Sequence, residues 1–215
     1  MNFGSSHGAA ARRTSLRERQ RDEVTRALLD AAEAVIAERG LADAAIAEIA
    51  RRAGVAVGTV YNHFADRDGL VRALFADRRG RIVPALRAAA DVRPDAGPEA
   101  RGSGFEGDLR AFVTAVLTTL DEHATFVRIA FEAGNARGRD ASGKSPTVIG
   151  ELRAAAEKVL ARGGRALATR HARLHAPLLI AALRAVVVEE LATGGTFAPH
   201  ADAIVDLFLD GARRR

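Results

Sequence analysis

The chain contains no cysteine and no tryptophan, a single tyrosine (Tyr61), a single methionine at position 1, and only two lysines, Lys144 and Lys158, among its 32 basic residues. Without cysteine, disulfides, thiolate zinc sites and cysteine nucleophiles are excluded by inventory alone. No apolar run approaches the roughly 20 residues that span a bilayer. The opening MNFGSSHGAAARR also lacks the apolar centre of a secretory signal. A cytoplasmic protein with no membrane partner is therefore expected. Nine phenylalanines and Tyr61 supply all the aromatic character, which favours an aliphatic or mixed pocket over an aromatic cage for a planar cation.

What is present is ordinary for a globular chain: 215 residues, 48% hydrophobic and 27% charged, enough for one large domain or two small ones. The formal charge of +5 is nearly all arginine and suits a polyanionic partner without demanding one. Residues 1–80 hold thirteen arginines against eleven acids, so no basic block stands out there.

Almost everything after Thr14 carries helical periodicity, with no strand-like alternation and no long-period repeat. SLRE, 15–18, has the form of a capping box. Val24, Leu28, Ala31, Val35 and Ile36 then recur at helical spacing up to a stop at Gly40. A short helix follows over AIAEIARRA, with Ile46, Ile49 and Ala50 inward and Gly54 after it. A very short one lies in AGVAVGTVYNHF, 53–64. A fourth begins at Asp66, an N-cap, and carries Leu70, Leu74, Phe75, Ile82 and Leu86. Residues 91–107 and the stretch NARGRDASGKSP read as polar loops. DLRAFVTAVLTTLDEHATFVRIAFEAG between them gives one or two helices broken near His123. Further helices are predicted at roughly 146–163, 175–193 and 200–213. The fold class is all-α.

Long, short and very short helices in that order, with glycine in the second turn, form the layout of a helix-turn-helix whose last helix enters the DNA major groove. In that last helix Val60 and Phe64 point to the core. Val57 with Tyr61, and Gly58 with Asn62, share the outward side, flanked by Thr59 and His63. Gly58 lets the helix start come close to a base edge or a phosphate. Tyr61, Asn62 and His63 can donate to phosphate oxygens, contacts that fix register rather than sequence. Arg12 and Arg13 lie in an arm ahead of the first helix, the kind of segment that can enter a minor groove.

IAEIARRAGVAVGTVYNHFADRDGLVRALF, 46–75, closely resembles the DNA-binding domain of TetR-family transcriptional regulators. It meets the pattern I-A-x-x-A-G-V-x-x-G-T-x-Y-x-H-F-x-x-[KR]-x-x-L at nearly every position. The resemblance implies a homodimer with two heads on a palindromic double-stranded operator, usually a repressor, released when a small-molecule effector enters the C-terminal domain. It places Val57, Gly58 and Thr59 at the base-facing start of the recognition helix, Tyr61 and His63 at phosphate-binding positions, and Arg67 where many members have a lysine that touches the backbone. Two departures stand out. Ala44 and Ala45 replace the usual Thr or Ser before the second helix, at an expected cost of about 1 kcal/mol in capping. Val57 replaces a polar residue, so sequence reading leans on Thr59, backbone groups and DNA shape.

The expected organisation is an arm over 1–14, a three-helix DNA-binding domain over 15–66, and a helical ligand-binding and dimerisation domain over 67–215. In the last, Phe112, Val116, Phe126, Arg128 and Phe131 are the candidate effector pocket. The stretches LLIAALRAVVVEEL and IVDLFL are apolar on more than one side, which assigns Leu179, Leu183, Val186, Val187, Ile204 and Phe208 to a dimer interface. His171 and His175, four apart, have metal-sharing spacing but no third ligand. No nucleophile elbow is present, and neither a cofactor nor an enzyme activity is expected. The rival readings are a DNA-binding protein of this fold with an architectural or activating role, and an all-α small-molecule binder or enzyme whose helix-turn-helix no longer binds DNA.

Overall fold

The computed structural model describes residues 16–92, 104–137, 148–167 and 171–212; the SLRE box at Ser15 and the arm with Arg12 and Arg13 lie outside them. The described residues are helical in the order α1 (Leu16–Asp43), α2 (Ile46–Arg52), α3 (Val57–His63), α4 (Arg67–Ala89), α5 (Phe105–Glu122), α6 (Ala124–Arg137), α7 (Val148–Leu160), α8 (Ala172–Thr193) and α9 (Ala201–Ala212). Short 3₁₀ segments follow α7 (Ala161–Ala166) and precede α9 (Ala198–His200). The chain is all-α, as its periodicity dictates. By Cα proximity it divides into two compact units between Val71 and Arg72, inside α4.

In the first unit the stripe Leu28, Ala31, Val35 and Ile36 of α1 is buried, together with Ile49 and Ala50 of α2, Val60 of α3 and Leu70. Gly40 does break α1, taking φ 81° three residues before its end. Between α2 and α3, Gly54 adopts φ 71°. The N–H of Gly54 donates to the carbonyl of Arg51 (3.2 Å) and that of Val55 to Ala50 (3.0 Å). This pair of bonds is the Schellman closure of α2, and its left-handed residue favours glycine. Neither α2 nor α3 has a side-chain cap: Ala45 and Ala56 occupy the N-cap positions. By contrast Asp66 caps α4, its carboxylate accepting from the N–H of Gly69 at 2.5 Å.

In the second unit α5 packs on α7 and α9, and α8 on α7 and α9. They enclose Leu109, Phe112 and Val116, Ala156 and Val159, Leu179 and Leu183, and Ile204 and Val205. Polar ties join helices far apart in sequence. Arg110 bonds Asp202 (2.5 Å) and Asp206 (3.0 Å), and Arg87 grips Glu151 with two bonds at 2.8 and 2.7 Å. Asp121, near the end of α5, accepts the backbone N–H groups of Phe197 (2.7 Å) and Ala198 (2.8 Å), where the chain turns into α9. α8 begins at Ala172 and runs through Pro177 rather than starting after it. A proline near a helix start forfeits one backbone bond, and the buried face of α8 continues past it.

Candidate nucleic-acid interface

α3 is only seven residues long, and its burial pattern follows its sequence spacing. Val60 is buried and Phe64 half-buried just past the helix, and these two root α3 in the first unit. Val57 (42% exposed) and Tyr61 (54% exposed) stand outward, as do Gly58 and Asn62, while Thr59 and His63 are half-buried beside them. An exposed valine and the chain's only tyrosine on one short helix form an amphipathic face bare of any internal partner. Gly58 is helical, without positive φ, and a Cβ there would meet nothing within 4 Å. The packing of this chain therefore gives no reason for glycine at that position.

The basic residues around this face are mostly committed within the chain. Arg51 makes a two-pronged bond to Glu48 (3.0 and 2.6 Å) and Arg52 another to Glu38 (2.6 and 2.9 Å). Hydrogen bonds from these guanidinium groups are the main reason that Glu48 and Glu38 titrate below the usual carboxylate range. Arg67, placed by resemblance against a phosphate, instead directs its guanidinium to the backbone carbonyls of Leu41, Ala42 (3.2 Å) and Ala44 (3.0 Å). It ties the start of α4 to carbonyls at and just past the end of α1. A lysine lacks the fork to reach three acceptors at once. The sequence reading also missed Thr25 of α1. Its Oγ1 lies 2.9 Å from Nδ1 of His63, a contact across 38 residues that no local pattern announces.

The effector and dimer positions were less legible. Phe112, Val116 and Phe126 are buried, with Phe126 edge-on to Phe75 at 5.1 Å. Phe131 is half-buried, and Arg128 is exposed with its guanidinium on the carbonyl of Leu191 at 3.0 Å. None of the five lines a pocket of the second unit formed by other residues. That pocket, of about 300 Å³, lies between α7, the 3₁₀ turn and α8, against Leu160, Ala161, Leu167, Ala172 and Ala176, with Glu157 and His175 as its polar groups. Burial, then repulsion by His171, pushes the His175 imidazole below its ordinary range. Among the described residues no group of three metal-ligating side chains exists.

Leu179, Leu183, Val187, Ile204 and Phe208 are all turned into the chain's own core, and Val186 is half-buried. The outward apolar stripe of α8 is Leu174, Leu178, Ala181, Ala185 and Val188, joined on α9 by Ala203 and Leu207. Leu178 is 56% and Leu207 77% exposed. The residues assigned to an interface from the sequence thus face the chain's own core, and α8, apolar nearly all round, also carries a second, outward stripe that periodicity alone cannot distinguish. No helix among the described residues is long and apolar enough to cross a membrane.

Residues 28–74 match the family of bacterial regulatory proteins, tetR family. The HTH-type transcriptional regulator BetI of Cronobacter sakazakii is 40% identical over 76 residues, 35% of this chain and 38% of that protein. The BetI of Escherichia coli O139:H28 is 38% identical over 82 residues, 38% of this chain and 42% of its own. The chain thus spans about two fifths of the length of the curated relatives it matches. Among solved structures, the transcriptional regulator FadR of Bacillus subtilis, in complex with stearoyl-CoA, is alike in fold over 86% of this chain and 98% of its own, with a TM-score of 0.67 and 17% identity.

Proposed function

We propose that this chain, which belongs to the TetR family by its N-terminal domain, is a sequence-specific DNA-binding transcriptional regulator. It works as a homodimer on a palindromic operator, as a repressor that lets go when a small molecule occupies its C-terminal unit. The observation that carries this reading is the outward face of α3, where Val57, Tyr61 and Asn62 surround a glycine that the chain's own packing does not require. A recognition helix pressed against DNA needs such a gap, with Tyr61 and His63 as phosphate donors on its flank. Thr59 and Val57 face the bases, Val57 offering contact to a thymine methyl. Arg67 holds the α4 start in place rather than touching DNA. A genomic partner puts this work in the cytoplasm, and the proposal includes neither catalysis nor a cofactor.

The apolar stripe of α8 and α9, Leu174, Leu178, Val188 and Leu207, is the proposed twofold interface, since a second copy covers it with the same surface. The pocket of about 300 Å³ is the proposed effector site. It stands at the bottom of the usual range of about 300–1,000 Å³, so it suits a compact, mainly apolar molecule, smaller than the stearoyl-CoA of the Bacillus subtilis neighbour. The closed core around Phe112 and Val116 favours one second reading, a DNA-binding protein without a small-molecule switch.

Selection of bound duplexes from a random pool, repeated with metabolites as competitors, tests the proposal. A palindrome enriched and then released by a metabolite supports it in full. A palindrome that no metabolite releases favours the second reading, and retention of no duplex overturns both.

A further inference from the structure

This inference rests on the DNA-binding reading above and concerns how one of its phosphate donors is prepared. His63 ends α3 with Nδ1 2.9 Å from the hydroxyl oxygen of Thr25. The same hydroxyl donates to the carbonyl oxygen of Arg21, one turn earlier on α1, at 2.9 Å. A hydroxyl has one proton to give, and a carbonyl can only accept. With its proton on Arg21, Oγ1 has only lone pairs to offer His63. In that arrangement Nδ1 carries the hydrogen of the Thr25–His63 pair. In a neutral imidazole the other nitrogen is then bare. Nε2 lies across the ring from Thr25, and no described residue is hydrogen-bonded to it. A bare Nε2 presents a lone pair and repels a phosphate oxygen. It becomes a donor only when the ring takes a second proton.

We propose that Thr25 is a positioning residue that holds neutral His63 in the Nδ1–H tautomer, so that His63 grips a DNA phosphate only as imidazolium and each bound head takes up one proton from solvent. The charged groups around this corner are Arg21, Asp22 and Arg26 on α1; Glu48, Arg51 and Arg52 on α2; and Asp66 and Arg67 where α4 begins. Arg51 is paired with Glu48, Arg52 with Glu38, and Arg67 is turned to backbone carbonyls. Among the described residues no carboxylate forms an ion pair with the His63 ring. The counter-charge for an imidazolium is thus missing inside the chain, and the phosphate supplies it. A phosphate beside the ring favours its charged form. Affinity for DNA of any sequence then falls as pH rises, by up to about tenfold per pH unit for each head.

The test uses the full chain and a short random-sequence duplex at fixed low salt, with affinity followed by fluorescence anisotropy from about pH 6 to about pH 8.5. The wild type weakens at least about tenfold over that range. Thr25→Ser keeps the hydroxyl and the same profile. Thr25→Val frees Nδ1, so the ring moves its proton to Nε2 and donates while neutral; its profile flattens and it binds more tightly than the wild type at the alkaline end. His63→Gln, whose amide donates at any pH, is flat. Long-range proton–nitrogen spectra of the free wild type at alkaline pH show Nε2 as the bare nitrogen, and those of Thr25→Val show Nδ1. A Thr25→Val profile as steep as the wild type, or a free wild type with hydrogen on Nε2, overturns the proposal. Failure of the wild type to bind the duplex at every pH overturns the DNA-binding reading instead, and the tautomer spectra still decide whether Thr25 orients the ring.

Discussion

Gly58 carries a helical backbone beside empty space, and each fact predicts something different. Because a methyl group there clashes with nothing in the chain, Gly58→Ala should hold stability or raise it by up to about 1 kcal/mol through helix propensity. Because the space is proposed to receive DNA, the same change should weaken operator binding. Thermal melts and binding isotherms on one preparation check both, and unaltered binding removes the close approach from the mechanism. His175 makes a second residue-scale case. Its imidazole is held below its ordinary range mainly by burial, so the unfolded chain binds more protons as acidity increases. Stability should be intact at neutral pH and decline as pH falls below about 6.5. His175→Gln should flatten that decline between pH 7 and pH 5, as followed by melting temperature. The carboxylates of Glu38, Glu48, Asp91 and Glu151, held down by hydrogen bonds from arginine or lysine, titrate below this window, so they do not mask it. At this scale the outward face of α3 was legible from spacing alone. The fate of Arg67 was not, because its acceptors are carbonyls 23 to 26 residues away that no side-chain pattern encodes.

At the scale of elements, caps explain which boundaries could be read in advance. Gly40, Gly54 and Asp66 mark theirs correctly because each acts within a few residues of itself. Pro177 does not interrupt α8, because the helix through it is held by tertiary burial of His175, Ala176 and Leu179, which outweighs a single missing backbone bond. α2 and α3 are short and start at uncapped alanines. Ala45 is exposed and extended, as an N-cap should be. Ala45→Ser should therefore stabilise the first unit by about 0.5–1 kcal/mol, measured by urea denaturation. An unchanged midpoint would show that the α2 N–H groups are already well satisfied by water.

At the scale of the molecule, the buried and exposed apolar faces of α8 and α9 predict separable phenotypes. Leu178→Arg combined with Leu207→Arg charges only the outward stripe, and should give folded monomers by sedimentation with helicity retained. A dimer that survives both changes rules the stripe out as the interface. Leu183→Arg instead buries a charge in the core and should unfold the second unit. Sequence alone reached the all-α class and the apolar character of these helices. It could not choose the side, since orienting an all-round apolar helix takes the positions of its neighbours. The Asp121 carboxylate, bonded to the backbone of Phe197 and Ala198, adds an order of events. The starting turn of α9 is anchored by a residue made some 76 positions earlier, so α9 docks onto a receptor already in place. Leu207 rides on that helix. Pairing through the proposed stripe of α8 and α9 then waits until α9 has docked, and a chain cut short before Phe197 should not capture its neighbour.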